Sequence, residues 1–341
     1  MIELFLAFHL LKGMGFKSKK EVLENFNYDI KKTIDFLSKK GADIPTKRAN
    51  SLIDFCGKKG IKVLHINNEF YPKRLKEIQD PPVCLFVKGN VEILKENFLA
   101  FVGTRRATSY GIRATESLIS DLSIYKVGIA SGFANGIDTA SHKSALKYGL
   151  PTVAVFGCGV DVVYPKNNFK LYGEIIEKGC VVSEFLPGTK PEPFRFPVRN
   201  RIISGMSMGI VVVEAREKSG SMITLNYGLN QGREIFAVPG RIFDKASIAT
   251  NTRIKNGEAK LVLSGKDITE EFSLVAISEK SDKFLKSEDD FTERYLSDPK
   301  TVEELIEETK MDYGALITKL SMLEIEGKVI KNGLNQYVKR F

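Results

Sequence analysis

The stretch FLAFVGTRRATSYGIRATESLISDLSIYKVGIASGFANGID, residues 98–138, decides the fold. Its apolar runs Phe98–Val102 and Val127–Ala130 are each followed by a glycine-containing loop and then by a helical pattern. The runs are apolar at every position, which is typical of strands buried on both faces of a parallel sheet. This stretch therefore predicts a strand–helix–strand unit of an α/β domain.

The same alternation continues along the chain. Further strands are predicted at Thr152–Phe156, Val181–Ser183, Ile210–Val213 and Ile235–Val238, and helices at Ile112–Leu122, Asp138–Tyr148, Asn168–Glu177 and Thr224–Asn230. The pattern predicts an α/β fold, a Rossmann-like doubly wound parallel sheet, over residues 62–272. Ligands of such sheets bind where the strands end, so we expect the functional residues in the loops that follow the strands.

Two smaller domains are predicted on either side of the sheet. Residues 1–61 indicate a small all-helical domain, similar to SAM or helix-hairpin-helix folds, with helices at Leu4–Leu11, Lys19–Phe26, Ile30–Ser38 and Thr46–Cys56. Residues 273–297 are polar and charged with little periodicity, as in a linker. Residues 298–341 show two helical patterns and a hairpin around Asn332–Gly333, which indicates a winged-helix domain.

Composition excludes several classes of protein. The 341 residues contain no apolar run long enough to span a membrane. The apolar N-terminal run lacks a basic n-region and a small-residue cleavage site, so we expect a cytoplasmic protein without membrane contact. The four cysteines are widely spaced, which favours reduced, buried thiols over a zinc site. We expect no metal site and no cofactor.

The positive charge lies in residues 1–262. Residues 1–97 carry a net charge of +6 and residues 98–262 carry +8, whereas residues 291–341 carry −1, and the whole chain carries +9. The middle segment matters most, because its basic residues fall at motif positions. A basic balance indicates a polyanionic partner. We therefore expect that partner at the sheet domain rather than at the winged helix.

The first glycine-containing loop, residues 103–111, has the chemistry of a phosphate site. Glycine allows close backbone approach, a helix N-terminus presents unpaired N–H groups, and arginine binds phosphate in a bidentate manner. The candidate residues are Gly103, Thr104, Arg105 and Arg106. The loop lacks the G-x-G-x-x-G and P-loop patterns, so it predicts neither a dinucleotide site nor an NTPase site.

Two further loops add candidates of the same kind. The loop after Ala130 contains Ser131, Gly132, Asn135 and Gly136, whose amides we expect to face the crevice. In the next loop, Lys166 and Phe169 are three residues apart at a helix start. A cation beside an aromatic ring suits single-stranded nucleic acid, since one binds phosphate and the other stacks on a base. The alternative is that Phe169 packs under its helix.

Several other polar residues have two interpretations. Arg199 and Arg201 either bind phosphate or brace the sheet through Glu184 or Glu214, and bracing is favoured for Arg201. Ser221 or Thr224 is expected to cap a helix, as is Asp138. Ser131, Asp138 and His142 are not expected to form a hydrolase triad, because no nucleophile elbow is present. We predict no catalytic residue.

Taken in order, these motifs resemble the DprA/Smf (DNA-processing protein A) family. The matching segments are GTRRAT, SGFANGID, GCGVDVVYPKNN, SEF, FPVRNRIISGMS, VVVEA, SGSMITLNYGLNQGREIFAVPG and TNTRIKNGEAKLV. The resemblance implies a non-enzymatic homodimer that binds and protects incoming single-stranded DNA. It further implies loading of the recombinase RecA onto that DNA in natural transformation and recombination.

The resemblance also implies roles for particular residues. Gly103, Thr104, Arg105, Lys166 and the amides around Ser131, Gly132 and Gly136 would bind phosphate, and Phe169 would stack on a base. Two positions depart from the family pattern: Ala249 replaces a usual glycine, and Asn135 stands where a basic residue is frequent. The second departure removes one positive charge from the pocket rim.

The alternative function is that of a nucleotide or phosphoribosyl hydrolase on the same fold. Such enzymes carry a P-G-G-x-G-T-x-x-E signature with a catalytic glutamate. The corresponding loop, Ser219–Thr224, contains no Pro-Gly-Gly and has Thr224 at the place of the acid. The binding function is therefore favoured.

Overall fold

The predicted strands assemble into one mixed sheet. We describe residues 1–276, 291–292, 295–309, 311–332 and 335–339 of a computed structural model. The strands in this part that join the large sheet are β1 (Lys62–His65), β2 (Cys84–Gly89), β3 (Phe98–Val102), β4 (Gly128–Ser131), β5 (Thr152–Val155), β6 (Cys180–Ser183), β7 (Ser207–Val212), β8 (Glu234–Ala237) and β9 (Lys260–Leu261). Their spatial order is β1-β2-β6-β5-β4-β3-β7-β8-β9.

The central part of this sheet is parallel and covered on both faces. All pairings from β6 across to β9 are parallel, whereas β1 and β2 pair antiparallel at one side. Along β3, Phe98 and Ala100 belong to one apolar core, while Leu99 and Phe101 belong to the core on the opposite face. This arrangement confirms the predicted Rossmann-like α/β fold.

Twelve helices of the described chain cover or flank the sheet. They are α1 (Ile2–Leu10), α2 (Phe16–Asn25), α3 (Ile30–Lys39), α4 (Thr46–Lys58), α5 (Lys73–Glu77), α6 (Ser109–Leu122), α7 (Ile137–Lys147), α8 (Phe169–Lys178), α9 (Arg195–Met206), α10 (Gly220–Asn230), α11 (Ile248–Lys255) and α12 (Gly265–Glu271). The sequence did not predict α9, which contains the poor helix formers Pro197 and Gly205. It also did not predict the helices α5, α11 and α12 or the strands β1, β2 and β9.

The sheet changes direction of winding at β3. The chain proceeds from β3 to β4 on one side and later to β7 on the other, so the crossover connections diverge there. A crevice forms at such a point, outside the carboxyl ends of the strands. We call this side of the sheet, where β3, β4, β5, β7 and β8 end, the carboxyl edge.

The N-terminal helices pack into the same compact unit as the sheet, which spans Met1–Ala276. Phe5 and Phe8 of α1 are buried in the apolar core that also contains strand residues of the sheet. Lys19 of α2 is buried as well, and its ammonium group donates hydrogen bonds to the carbonyl oxygens of His9 and Leu11 at 2.7 and 3.0 Å. All four cysteines of the chain are buried and free, as predicted.

The second unit, Ile277–Phe341, has its own small core. Its helices at Val302–Thr309 and Tyr313–Ile325 precede a two-stranded sheet, Val329–Lys331 paired with Tyr337–Lys339. Most of the predicted linker 273–297 and residue Gly333 of the predicted turn lie outside the described residues. The winged-helix assignment stays a prediction. Within the described part of the chain, no helix is long and apolar enough to cross a membrane.

Candidate nucleic-acid interface

A crevice of about 300 Å³ opens at the carboxyl edge, beside the ends of β3 and β7. It is lined by loop residues from three strands and by the start of α9, including Gly103, Arg105, Asp138, Phe196, Arg199 and Ser221. Candidate residues far apart in the sequence therefore meet at one place. Hydrogen bonds and close packing between the loops hold these residues together.

The loop after β3 is held by the end of β7. The Thr104 amide donates to the Glu214 carbonyl oxygen at 2.8 Å, and the Thr108 amide donates to the Glu214 carboxylate at 2.9 Å. Thr108 also caps α6 by accepting a hydrogen bond from the Gly111 amide. These contacts fix both ends of the loop and leave the side chains of Arg105 and Arg106 exposed.

Arg105 lies beside an aromatic ring that the sequence analysis did not single out. Its guanidinium carbon is 5.8 Å from the centre of the Phe196 ring, and the Tyr164 ring lies 5.5 Å from Phe196 on centres. An arginine over an aromatic face is stabilised by a cation–π interaction. Phe196 thus joins the first loop to the loop that carries Lys166. The Arg-Phe-Pro sequence at residues 195–197 contains no spacing signal that distinguishes it from a core aromatic.

The loop after β4 packs tightly under the first loop. Gly136 has φ +80°, and a Cβ at this position would overlap the backbone of Thr104 and Arg105, so only glycine fits without strain. The Ser131 side chain is buried and donates to the Phe101 carbonyl oxygen at 2.6 Å. The Gly132 carbonyl oxygen accepts from Arg199 at 2.8 Å. Asn135 is exposed at the tip of the loop.

Asp138 and Arg199 form the floor of the crevice. Burial raises the pKa of Asp138 to about 6, against the opposing effect of Arg199. Burial lowers the pKa of the Arg199 guanidinium to about 10. Asp138 does not cap α7 as predicted, since Gly136 is the N-cap and the Asp138 carboxylate instead accepts from the Ala134 amide at 3.2 Å. Arg199 is largely occupied by the backbone oxygens of Gly132 and Val155, and not by Glu184 or Glu214, the carboxylates considered for bracing.

The loop after β5 presents the exposed pair predicted to bind single strands. Phe169 begins α8 with 70% of its side chain exposed, so it does not pack under the helix. Lys166 is exposed three residues earlier. The side chains of the two intervening residues tie this segment to the loop after β4, because Asn167 donates to Asn135 at 3.0 Å and Asn168 donates to the Phe133 carbonyl oxygen at 3.2 Å.

Arg201 faces away from the crevice into the protein. It is 1% exposed, and its guanidinium donates to both carboxylate oxygens of Glu184 at 2.8 and 2.6 Å and to Asp80 at 3.1 Å. The Phe16 ring of α2 covers it at 4.4 Å. A guanidinium enclosed in this way has no room for a phosphate. We therefore remove Arg201 from the candidate contacts and assign it to bracing through Glu184.

The residues considered for catalysis bond to other groups and not to one another in the described part of the chain. His142 is fully buried and its Nδ1 lies 2.7 Å from the Thr152 hydroxyl, whereas Ser131 and Asp138 bond to other groups. Burial lowers the pKa of His142 to about 3.

The cap of α10 is Ser219 rather than Ser221 or Thr224, since the Ser219 side chain accepts a hydrogen bond from the Ser221 amide.

Comparisons with known proteins show the family and the fold. The family model described as DNA recombination-mediator protein A matches residues 62–273. A curated relative, the DNA processing protein DprA of Streptococcus pneumoniae, is 46% identical over 207 residues, which cover 61% of this chain and 73% of the relative.

Two solved structures resemble the fold. The X-ray structure of DNA processing protein A from Streptococcus pneumoniae matches with a TM-score of 0.66 and 37% identity, covering 79% of this chain and 95% of that one. DNA processing protein A from Helicobacter pylori matches with a TM-score of 0.57 and 28% identity, covering 62% and 95%. The Helicobacter pylori structure is described as showing a unique single-stranded DNA binding mode.

Proposed function

The chain belongs to the DNA recombination-mediator protein A family, and we propose from this premise that it binds single-stranded DNA at the carboxyl edge of its sheet. The observation that carries the proposal is the exposed pair Lys166 and Phe169, which the bonded loops bring to the same edge as Arg105 and Arg106. Cations that track the phosphates and a ring that stacks on a base are what single strands require.

The residues of the proposed site differ in their roles. Arg105, Arg106 and Lys166 supply positive charge, Phe169 supplies the stacking surface, and Gly103, Gly132 and Gly136 allow the loops to pack closely. Thr104, Ser131 and Asn135 shape the loops through their own hydrogen bonds. Arg199 acts from below by holding Gly132 and facing Asp138. No base-specific contact is proposed.

Binding of this kind is expected to weaken with salt. The logarithm of the binding constant falls with the logarithm of the salt concentration, with a slope of roughly −0.7 per phosphate contacted. Arg105→Ala and Lys166→Ala should each weaken binding about tenfold on any sequence, because each removes a charge-assisted contact to phosphate. Fluorescence anisotropy with labelled oligothymidylate across a salt series measures both effects.

Lys178→Ala is the matched control. Lys178 is an exposed lysine at the other end of α8, about 14 Å along the helix from Phe169. Its replacement should leave the affinity within about twofold of the parent. Binding that ignores salt, or equal loss in all three variants, would contradict the proposed site.

We also propose that the chain acts as a homodimer that protects incoming DNA and loads RecA recombinase onto it in natural transformation and recombination. The family description as a recombination mediator supports this role. Sedimentation of the chain, together with RecA assembly on a single strand with and without it, tests the two parts separately. The Ser219–Thr224 loop does not support the hydrolase alternative, because Thr224, which stands at the place of the catalytic acid, is buried.

A further inference from the structure

The loop after β8 projects another exposed aromatic residue at the carboxyl edge. Phe243 is 90% exposed and its neighbour Ile242 is 78% exposed, although most large apolar side chains of this unit are buried. Both side chains are therefore accessible to a ligand. Arg241 and Lys245 flank them and are also exposed.

The base of this loop is fixed, so the exposed tip is held in place. The Asn251 side chain pairs with the amide and carbonyl of Gly240 at 3.1 and 3.0 Å. The Ala215 amide donates to the Ala246 carbonyl oxygen at 2.7 Å. The tip itself forms a turn in which the Asp244 amide donates to the Arg241 carbonyl oxygen at 3.1 Å.

The base of the loop is also joined to the proposed DNA site. The Tyr110 hydroxyl, one residue into α6, donates to the Pro239 carbonyl oxygen at 2.6 Å. The segment after β8 therefore contacts the helix that follows the Arg105 loop. Ala215, which anchors the other end, follows Glu214, the residue that holds the same Arg105 loop. The loop after β8 and the Arg105 loop are therefore held by two adjacent residues, Ala215 and Glu214.

Exposed cations follow the carboxyl edge between the two aromatic residues. We call them the carboxyl-edge row; in the order of the strands that they follow, they are Lys166, Arg105, Arg106, Arg216, Lys218, Arg241 and Lys245. Glu217 and Asp244 interrupt the row with negative charge. In the described part of the chain, neither Arg241 nor Lys245 forms a salt bridge, so their charge remains available to a ligand.

The length of the row suits a short segment of nucleic acid. The loops after β5 and β8 are separated by four strand spacings, which correspond to about 19 Å across the sheet. An extended single strand covers this distance in a few nucleotides. Phe169 stands at one end of the row and Phe243 at the other.

We propose that Phe243 is a second base-stacking residue, with Arg241 and Lys245 binding the adjacent phosphates. The inference rests on the proposed function and extends it: one strand would run along the carboxyl-edge row between two rings. A ring with cations two residues away on either side is the combination that single-stranded DNA needs, whereas an interface for an apolar protein surface does not require flanking positive charge.

The test compares oligothymidylates of about 2 and about 12 nucleotides by fluorescence anisotropy, because the shorter one cannot span the distance between the two rings and the longer one can. Phe243→Ala in the full chain should raise the Kd for the longer oligonucleotide by about fivefold or more and leave that of the shorter one within about twofold. Phe243→Trp should restore the longer one's affinity. Arg241→Ala should reduce the salt slope by about 0.7, the value for one phosphate contact.

Ile242→Ala is the matched control, because it removes a neighbouring exposed apolar side chain that has no ring. It should bind both oligonucleotides like the parent. Equal affinity of Phe243→Ala and the parent for the longer oligonucleotide overturns the inference. The inference is also overturned if Ile242→Ala loses affinity as Phe243→Ala does and both variants change their oligomeric state in sedimentation. The tip would then be a protein interface. Insensitivity to Arg105→Ala and Lys166→Ala would instead reject the proposed function itself.

Discussion

Arg105, Arg199 and Arg201 show that position in the fold assigns different tasks to the same side chain. Arg105 is exposed over Phe196, Arg199 is buried against backbone oxygens, and Arg201 is enclosed by carboxylates. Burial removes water from a guanidinium, so a buried one must be satisfied by protein groups. Only the exposed arginine keeps its charge for a ligand.

Arg201→Ala should lower the free energy of unfolding by about 3–5 kcal/mol. It would leave the Glu184 carboxylate buried without its partner, and an uncompensated buried charge is strongly destabilising. Urea unfolding followed by circular dichroism measures the loss.

Arg106→Ala serves as the control for that substitution, since Arg106 is exposed and its loss should change stability by less than about 0.5 kcal/mol. An Arg201→Ala variant as stable as the parent but unable to bind DNA would show that Arg201 contacts phosphate after all.

At the scale of elements, the site depends on how the loops after β3, β4 and β7 pack on one another. The Ile137 amide of α7 donates to the Thr104 carbonyl oxygen at 3.3 Å, and Glu214 bonds to the same loop from the other side. Each loop alone would be flexible, because short loops rich in glycine have high conformational entropy. Their mutual hydrogen bonds hold Arg105 near the crevice.

Gly136→Ala should disturb this packing. The added Cβ would meet the Arg105 carbonyl oxygen at 2.9 Å and overlap that of Thr104, and the backbone conformation is one that alanine rarely adopts. We expect a loss of about 2–4 kcal/mol in unfolding free energy and weaker DNA binding, because the loop that carries Arg105 must move.

Gly232→Ala separates strain from packing. Gly232 also has a positive φ, +66°, but nothing lies within 4 Å of the added Cβ. The cost should be about 1 kcal/mol with unchanged DNA affinity. If both variants bind DNA like the parent, contact between the two loops does not position Arg105.

At the scale of the whole molecule, buried titratable groups make stability depend on pH. Burial lowers the pKa of His142 to about 3 and that of His9 to about 4, from an ordinary value of 6.5. Below pH 6.5 these histidines therefore bind protons in the unfolded chain but not in the folded chain. The free energy of unfolding consequently falls as the pH falls. Asp138 acts in the opposite sense, because its raised pKa favours the folded state as the pH falls through about 6 towards 4.

Between pH 7 and pH 4.5 the free energy of unfolding should fall by about 2 kcal/mol less in His142→Gln than in the parent. The variant has no imidazole at this position that must stay unprotonated in the folded state. Urea unfolding at the two pH values tests this. His65→Gln is the comparison: burial also lowers the pKa of the half-buried His65, so the acid loss of this variant should lie between those of the parent and of His142→Gln. Identical acid losses in all three proteins would show that His142 does not titrate on unfolding.

Local sequence determined the parallel sheet and the position of its loops. Apolar runs such as Phe98–Val102 indicate buried strands here because they alternate with helical segments and are followed by glycine-containing loops, and glycines such as Gly103 and Gly136 mark where the backbone must approach its neighbours closely. The same locality places Lys166 and Phe169 on one helix start. These features were therefore predictable from the residues alone.

Only the tertiary structure decided which of the candidate side chains remain exposed. The burial of Arg201 requires Glu184, Asp80 and the Phe16 ring, and the exposure of Phe243 depends on anchors at Tyr110 and Asn251. Contacts between residues so distant in the sequence leave no periodic signal, because burial is a property of the folded surface and not of a segment. The sequence specified the chemistry at the carboxyl edge, and packing selected the groups that solvent and a ligand can reach.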